Sequence, residues 1–146
     1  MMKKRLTITI LALALAGMAV SLYSLLHNQG FASGEFCTIG EALNCDVVNK
    51  GPYSVIFGIP VSLIGVLGYL FLAAAAAIKL SHPSDKSLTK VLFFACLGGL
   101  LFSLYLSGLE AFILTTWCLL CLTSQLLILL LSLFTFWLMR LERQPL

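Results

Sequence analysis

Charge is what this chain has least of. Only 10% of its 146 residues are Asp, Glu, Lys or Arg and 60% are apolar, whereas a typical soluble domain is about 25% charged. A soluble fold of this size leaves roughly a third of its unfolded surface in water, and this sequence lacks the polar residues to cover it. An ordinary water-borne globule is excluded, and lipid is the remaining solvent. The chain also lacks a Gly-rich phosphate-cradling loop, an internal repeat and a low-complexity tail. The net charge of +3 is no nucleic-acid footprint, because the basic residues flank apolar runs; it reports topology.

What is present is four apolar stretches, at about residues 6–26, 53–80, 91–109 and 117–139. Each meets the requirement of about 20 mostly apolar residues for a spanning helix. Backbone polar groups in lipid must be satisfied within the segment, so the spans are expected to be helices. The expected fold is an all-α membrane protein, a four-transmembrane-helix bundle forming a single domain over residues 1–146. Lys3, Lys4 and Arg5 before an apolar run with Ala14-Leu15-Ala16 would also suit a cleaved leader. The run continues to Leu26, however, which is long for the apolar part of a leader. Gly65, Gly68, the alanines at 73–77, Gly98 and Gly99 are small residues that allow helices to approach closely.

Basic residues set the orientation. Lys3, Lys4 and Arg5 precede the first span, Lys79, Lys86 and Lys90 sit between the second and third, and Arg140 and Arg143 follow the fourth. Eight of nine fall on one side and only Lys50 on the other. Both termini are therefore expected in the cytoplasm, with loop 27–52 and the short link at 110–116 facing the periplasm or an equivalent lumen. The expected location is a bacterial inner membrane. Loop 27–52 is 26 residues long, beyond the roughly 12–15 of an ordinary connection. It carries Phe31, Phe36, Ile39, Leu43, Val47 and Val48, which a merely solvated loop would not need. We read it as a folded cap with a short helix near 39–43. Gly58 and Pro60 mark residues 54–59 as a separate turn or short helix before the second span proper.

Cysteine carries the chemistry. Cys118 and Cys121 open the fourth span as a CxxC pair. Positions three apart on a helix share a face with Cβ atoms about 5–6 Å apart, and a small adjustment brings them to the roughly 3.5–4.5 Å of a disulfide. The start of a helix favours thiolate, and such cysteines reach pKa values of about 3.5–7.5. Thiolate is the nucleophile of disulfide exchange. Cys37 and Cys45 lie in the cap, on the same side of the membrane by the charge rule. The same residues admit a static disulfide stapling the cap or a four-cysteine zinc site, although an eight-residue step suits zinc knuckles poorly. No metal is expected. Cys96 lies deep in the third span, a small core residue. Glu110 reads as an interface residue, with proton handling beside the CxxC as the alternative.

The run Cys37-Thr38-Ile39-Gly40-Glu41-Ala42-Leu43-Asn44-Cys45, then Phe57-Gly58-Ile59-Pro60 and Leu63-Ile64-Gly65, then Cys118-x-x-Cys121, resembles the vitamin K epoxide reductase family over about residues 6–138. The order of the pairs discriminates, because in the functionally analogous DsbB family the CxxC comes first. The resemblance implies a membrane thiol oxidoreductase coupled to a quinone, ubiquinone or menaquinone. It implies that Cys37 and Cys45 exchange with a thioredoxin-fold partner, that Cys45 bridges transiently to Cys118, and that Cys121 faces the quinone. Some members carry a fused thioredoxin-like domain; none occurs within these 146 residues, so the expected partner is a separate DsbA-like protein. Three positions depart from the family pattern. Gly51 stands where a Ser is frequent, with Ser54 nearby; Gln125 stands where animal members have Tyr; the second span has no Asn. These favour plain quinone reduction over vitamin K epoxide reduction, the alternative activity.

The quinone site is expected at the outer end near Cys121, bounded by Phe57, Phe102, Tyr105 and Trp117, each of which also suits interfacial anchoring or core packing. Gln125 could donate to a quinone carbonyl or bridge helices.

Overall fold

The computed structural model describes residues 1–31, 44, 48 and 51–144. Cys37, Cys45 and the expected short helix at 39–43 lie outside them. Four long helices form the bundle: α1 (Met2–Asn28), α2 (Val61–Ser81), α3 (Lys86–Leu109) and α4 (Leu119–Arg143). All four are long and apolar enough to cross a membrane. Much of their apolar surface points outward, as with Leu67, Phe71, Phe94 and Leu133, which is what lipid rather than water permits. Each helix packs on its chain neighbours and α1 closes the ring on α4; α2 against α3 is the loosest of the four contacts.

The second span starts at Val61 rather than 53. Residues 52–60 instead form a 3-10 turn (Pro52–Ser54) and a small antiparallel hairpin, β1 (Val55–Ile56) and β2 (Ile59–Pro60). Phe57 and Gly58 make its two-residue tip with φ of 53° and 81°, the pair of left-handed residues that hairpin turns favour. At the end of the third span, the helix widens into a π turn, Glu110–Leu114, and stops at Thr115 with φ 52°. The link expected at 110–116 is thus mostly helical.

Helix approach rests on specific glycines. A Cβ on Gly17 would lie 2.2 Å from Tyr69 Cε1, and one on Gly65 2.9 Å from Ser21 Oγ, so α1 and α2 meet as closely as they do because these residues have no side chain. The far end is tied by Lys79, buried at the close of α2. Its Nζ donates to Glu142 Oε1 at 2.5 Å and to the carbonyls of Pro83 and Asp85 at 3.1 and 2.6 Å. Three acceptors satisfy all three ammonium protons, the condition for burying a cation at tolerable cost. Asp85 caps α3 by accepting the Ser87 N–H at 2.9 Å, a standard helix start. The eight basic residues that flank the spans belong to this end of the bundle, opposite Cys118 and Cys121.

Candidate active site

At the other end, the chain folds back on itself between α3 and α4. The Glu110 carbonyl accepts the Thr116 N–H at 3.2 Å, while the Glu110 side chain accepts the Cys118 N–H through Oε2, also at 3.2 Å. One residue therefore fastens both ends of the segment that delivers the CxxC. Glu110 is 2% exposed, which corrects its reading as an interface residue. The apolar segment around it gave no warning that the π turn rotates this carboxylate inward.

Cys118 is not in the helix. It is the residue before α4, with extended backbone (φ −110°, ψ 122°), and its carbonyl accepts the first helical bond, from Leu122 N–H at 2.9 Å. The expectation that the two cysteines share one helical face is corrected accordingly. Cys118 is fully buried and packs on Val48, Leu120 and Cys121. The thiol proton of Cys121 beside its sulfur holds the Cys118 pKa below the ordinary thiol range, with help from the amides of Cys121 and Leu120; burial and the Glu110 charge oppose this. These amides belong to the exposed positive end of α4, where thiolate is stabilised.

Cys121 faces elsewhere. It lies on the wall of a cavity of about 350 Å³ that reaches from the outer end into the middle of the bundle. The walls come largely from α2 and α3, the loosely packed pair, with contributions from α1 and α4. They are mostly apolar, including Val20, Ile64, Leu72, Phe102 and Ile128, with hydroxyls of Ser21, Ser103, Ser124 and Tyr69 among them. Tyr69 crosses the bundle to donate to the Ser124 carbonyl at 2.8 Å, with the Ser124 hydroxyl at 3.0 Å. Such a mixture of apolar wall and few polar groups is the usual make-up of a small-molecule site.

A scan against known families matches residues 8–136 to the vitamin K epoxide reductase family. The chain belongs to that family. No curated protein matches it. As a member with four helices fit to span a bilayer, the protein is a membrane thiol oxidoreductase.

Within this vitamin K epoxide reductase fold, the residues singled out from sequence separate into two groups. Cys121 and Phe102 line the cavity. Phe57, at the hairpin tip, is 99% exposed, and Tyr105 and Trp117 are also solvent- or lipid-facing; none of the three is on the cavity wall. Gln125 accepts a hydrogen bond from Ser107 Oγ, so it bridges α3 and α4 and is not on that wall either. Ser54 is buried on the wall, its hydroxyl donating to the Gly51 carbonyl at 2.6 Å. Cys96 is fully buried in the apolar core. Sequence reasoning passed over Ser21, Ser24, Tyr69 and Ser124. Their signal was available, since hydroxyls inside spanning helices turn toward one another or a cavity and away from lipid.

Proposed function

We propose that this protein passes electrons from a separate thioredoxin-fold, DsbA-like protein through Cys37/Cys45 and Cys118/Cys121 to a membrane quinone, supporting disulfide formation outside the cytoplasm of a bacterium. The observation that carries this reading is that Cys121 lines the cavity, whereas Cys118 is buried just behind the wall, packed on Val48, Leu120 and Cys121. Asn44 donates its N–H to the Trp117 carbonyl at 3.0 Å. Cys45 follows Asn44 by one peptide unit and Cys118 follows Trp117 by one, which supports exchange between those two sulfurs. The basic residues at the opposite end support cytoplasmic termini and an outward-facing CxxC.

The cavity suits the head group of a lipid-borne quinone. Its apolar walls match the ring, while the wall serines offer polar contacts to ring oxygens. A bound quinone supplies a sink for two electrons and two protons. The protein's own part is exchange. A partner thiolate attacks Cys37 of the Cys37–Cys45 disulfide and expels Cys45 as a thiolate, and the partner's second thiolate then closes the partner's own disulfide and frees Cys37. Cys45 then attacks Cys118 of the Cys118–Cys121 disulfide, forming a Cys45–Cys118 bridge and expelling Cys121 as a thiolate on the cavity side. Cys37 attacks Cys45 to reform the first disulfide and free Cys118. Direction follows from potential: a DsbA-type disulfide lies near −120 mV, and about 30 mV is 1.4 kcal/mol for two electrons, so only a strongly oxidising sink recharges it.

The test is quinone reduction by purified protein with a reduced DsbA-like partner, using ubiquinone and menaquinone analogues. Cys121→Ser is expected to abolish coupling and Cys96→Ser to leave it intact. Equal activity of the two variants defeats the reading. Thiol trapping with mass spectrometry separates a relay, whose Cys37–Cys45, Cys45–Cys118 and Cys118–Cys121 linkages change with reductant, from a fixed staple or a zinc site.

A further inference from the structure

Glu110 is the one charged side chain among the described residues on the cavity wall. It is 2% exposed, within a segment long and apolar enough to span the membrane. A carboxylate in such a place is expensive to keep and marks proton or ion traffic by default. Its partners identify the traffic. Oε2 accepts the Cys118 N–H at 3.2 Å, and Glu110 shares the cavity wall with Cys121. A thiol has a single proton, and the two groups beside Cys121 that can accept one are the Cys118 sulfur, packed against it, and the Glu110 carboxylate on the same wall.

Closing the Cys118–Cys121 disulfide breaks two S–H bonds and makes one S–S bond. Two electrons leave for the quinone and two protons need acceptors, so that dithiol and quinone end as disulfide and hydroquinone. Wall serines are not bases, and the Tyr69 hydroxyl is already spent as donor to Ser124. We propose that Glu110 is the proton acceptor of the Cys118–Cys121 couple, taking the proton that Cys121 releases and holding it at the cavity. This rests on the proposed function for the destination of the electrons. Among the described residues, the titratable groups beside it are Cys118 and Cys121 at the head of α4, and Tyr69 on α2 lines the same cavity; His27 is buried at the outer end of α1, and α3 brings no other to that wall.

The readout is the potential of the Cys118–Cys121 couple as a function of pH. It is measured by thiol trapping in glutathione or dithiothreitol buffers on full-length protein carrying Cys37→Ala and Cys45→Ala, without quinone. If Glu110 retains one of the two protons, oxidation releases a single proton per two electrons. The potential then falls by about 30 mV per pH unit around neutrality, since a tenfold change in equilibrium is 29.6 mV. Glu110→Gln keeps an oxygen to accept the Cys118 N–H but no base, so both protons leave and the slope doubles to about 59 mV per pH unit. Equal slopes in the two proteins overturn the proposal. Should Glu110→Gln fail to fold, redox-difference infrared spectra carry the test. A carboxyl stretch must appear on oxidation of the unsubstituted Glu110 protein and shift in Glu110→Asp, and its absence overturns the proposal. Unequal slopes in a protein whose wild type reduces no quinone would sink the proposed function while upholding the role of Glu110.

Discussion

Replacing Gly17 by Ala should destabilise the bundle, against the usual sign of that substitution. In a helix interior Gly→Ala ordinarily gains up to about 1 kcal/mol from backbone propensity. Here the new Cβ would sit 2.2, 2.4 and 2.6 Å from Cε1, Cδ1 and Cζ of Tyr69, where carbon atoms prefer about 3.5–4.0 Å. The ring has to retreat by more than 1 Å or the helices must part. Tyr69 is 5% exposed, so no free space receives it except the cavity. Retreat also strains the hydroxyl contacts to Ser124 at 2.8 and 3.0 Å. Overpacking costs about 1–3 kcal/mol and a lost hydrogen bond about 1; the propensity gain of about 1 offsets part of this, so we expect a net loss of roughly 1–3 kcal/mol. The assay is reversible unfolding in mixed micelles, run as a double-mutant cycle. In a Tyr69→Ala background the clash is gone, and Gly17→Ala should be neutral or mildly stabilising. An equal cost in both backgrounds, or none in either, would refute the packing argument.

Two further outcomes follow from the site. Cys118 should form thiolate at lower pH than an ordinary thiol, because its principal stabiliser is the Cys121 S–H; Cys121→Ala removes that donor, so the thiolate absorbance of Cys118, followed in a protein lacking the other cysteines, should shift to higher pH. A Cβ on Gly68 would meet nothing within 4 Å, and Gly68 lines the cavity. Gly68→Leu is therefore expected to leave thermal stability within about 1 kcal/mol while raising the KM for quinone about tenfold or more, a loss of about 1.4 kcal/mol in binding; an unchanged KM would place the quinone elsewhere.

Much of the fold was legible because its strongest signals do not need periodicity. Four runs of sufficient length and the loading of Lys and Arg fixed the number of helices and gave the expected orientation. What escaped was where faces point. A helix that is apolar on every side shows little in sequence to separate lipid from core, so Gly17 and Tyr69 drew no notice although their contact sets the α1–α2 distance. Helix ends were blurred for a related reason. Residues 53–60 are apolar enough to continue the second span, and only Gly58 and Pro60 betray the hairpin that replaces its first turns. Aromatic residues were weighted as a quinone wall by type, yet Phe57 and Tyr105 are placed outward. Beside Phe102 and Tyr69, the cavity is lined largely by small, hydroxylic and aliphatic side chains, which a search by chemistry alone ranks low. Cys37 and Cys45, the other half of the reading, lie outside the described residues.

The departure of Cys118 from helical geometry has mechanistic weight of its own. Two cysteines three apart within a regular helix would share one environment, and an electron pair arriving at either would remain on the same side. Extended backbone at Cys118 leaves it behind the cavity wall, packed on Val48, Leu120 and Cys121, while Cys121, in the first turn of α4, lines the cavity. In the proposed relay, attack on Cys118 would expel Cys121, the member of the pair that lines the cavity. Glu110 fixes this arrangement from below by accepting the Cys118 N–H, and the π turn that brings it there is the structural reason α3 does not end as a plain helix.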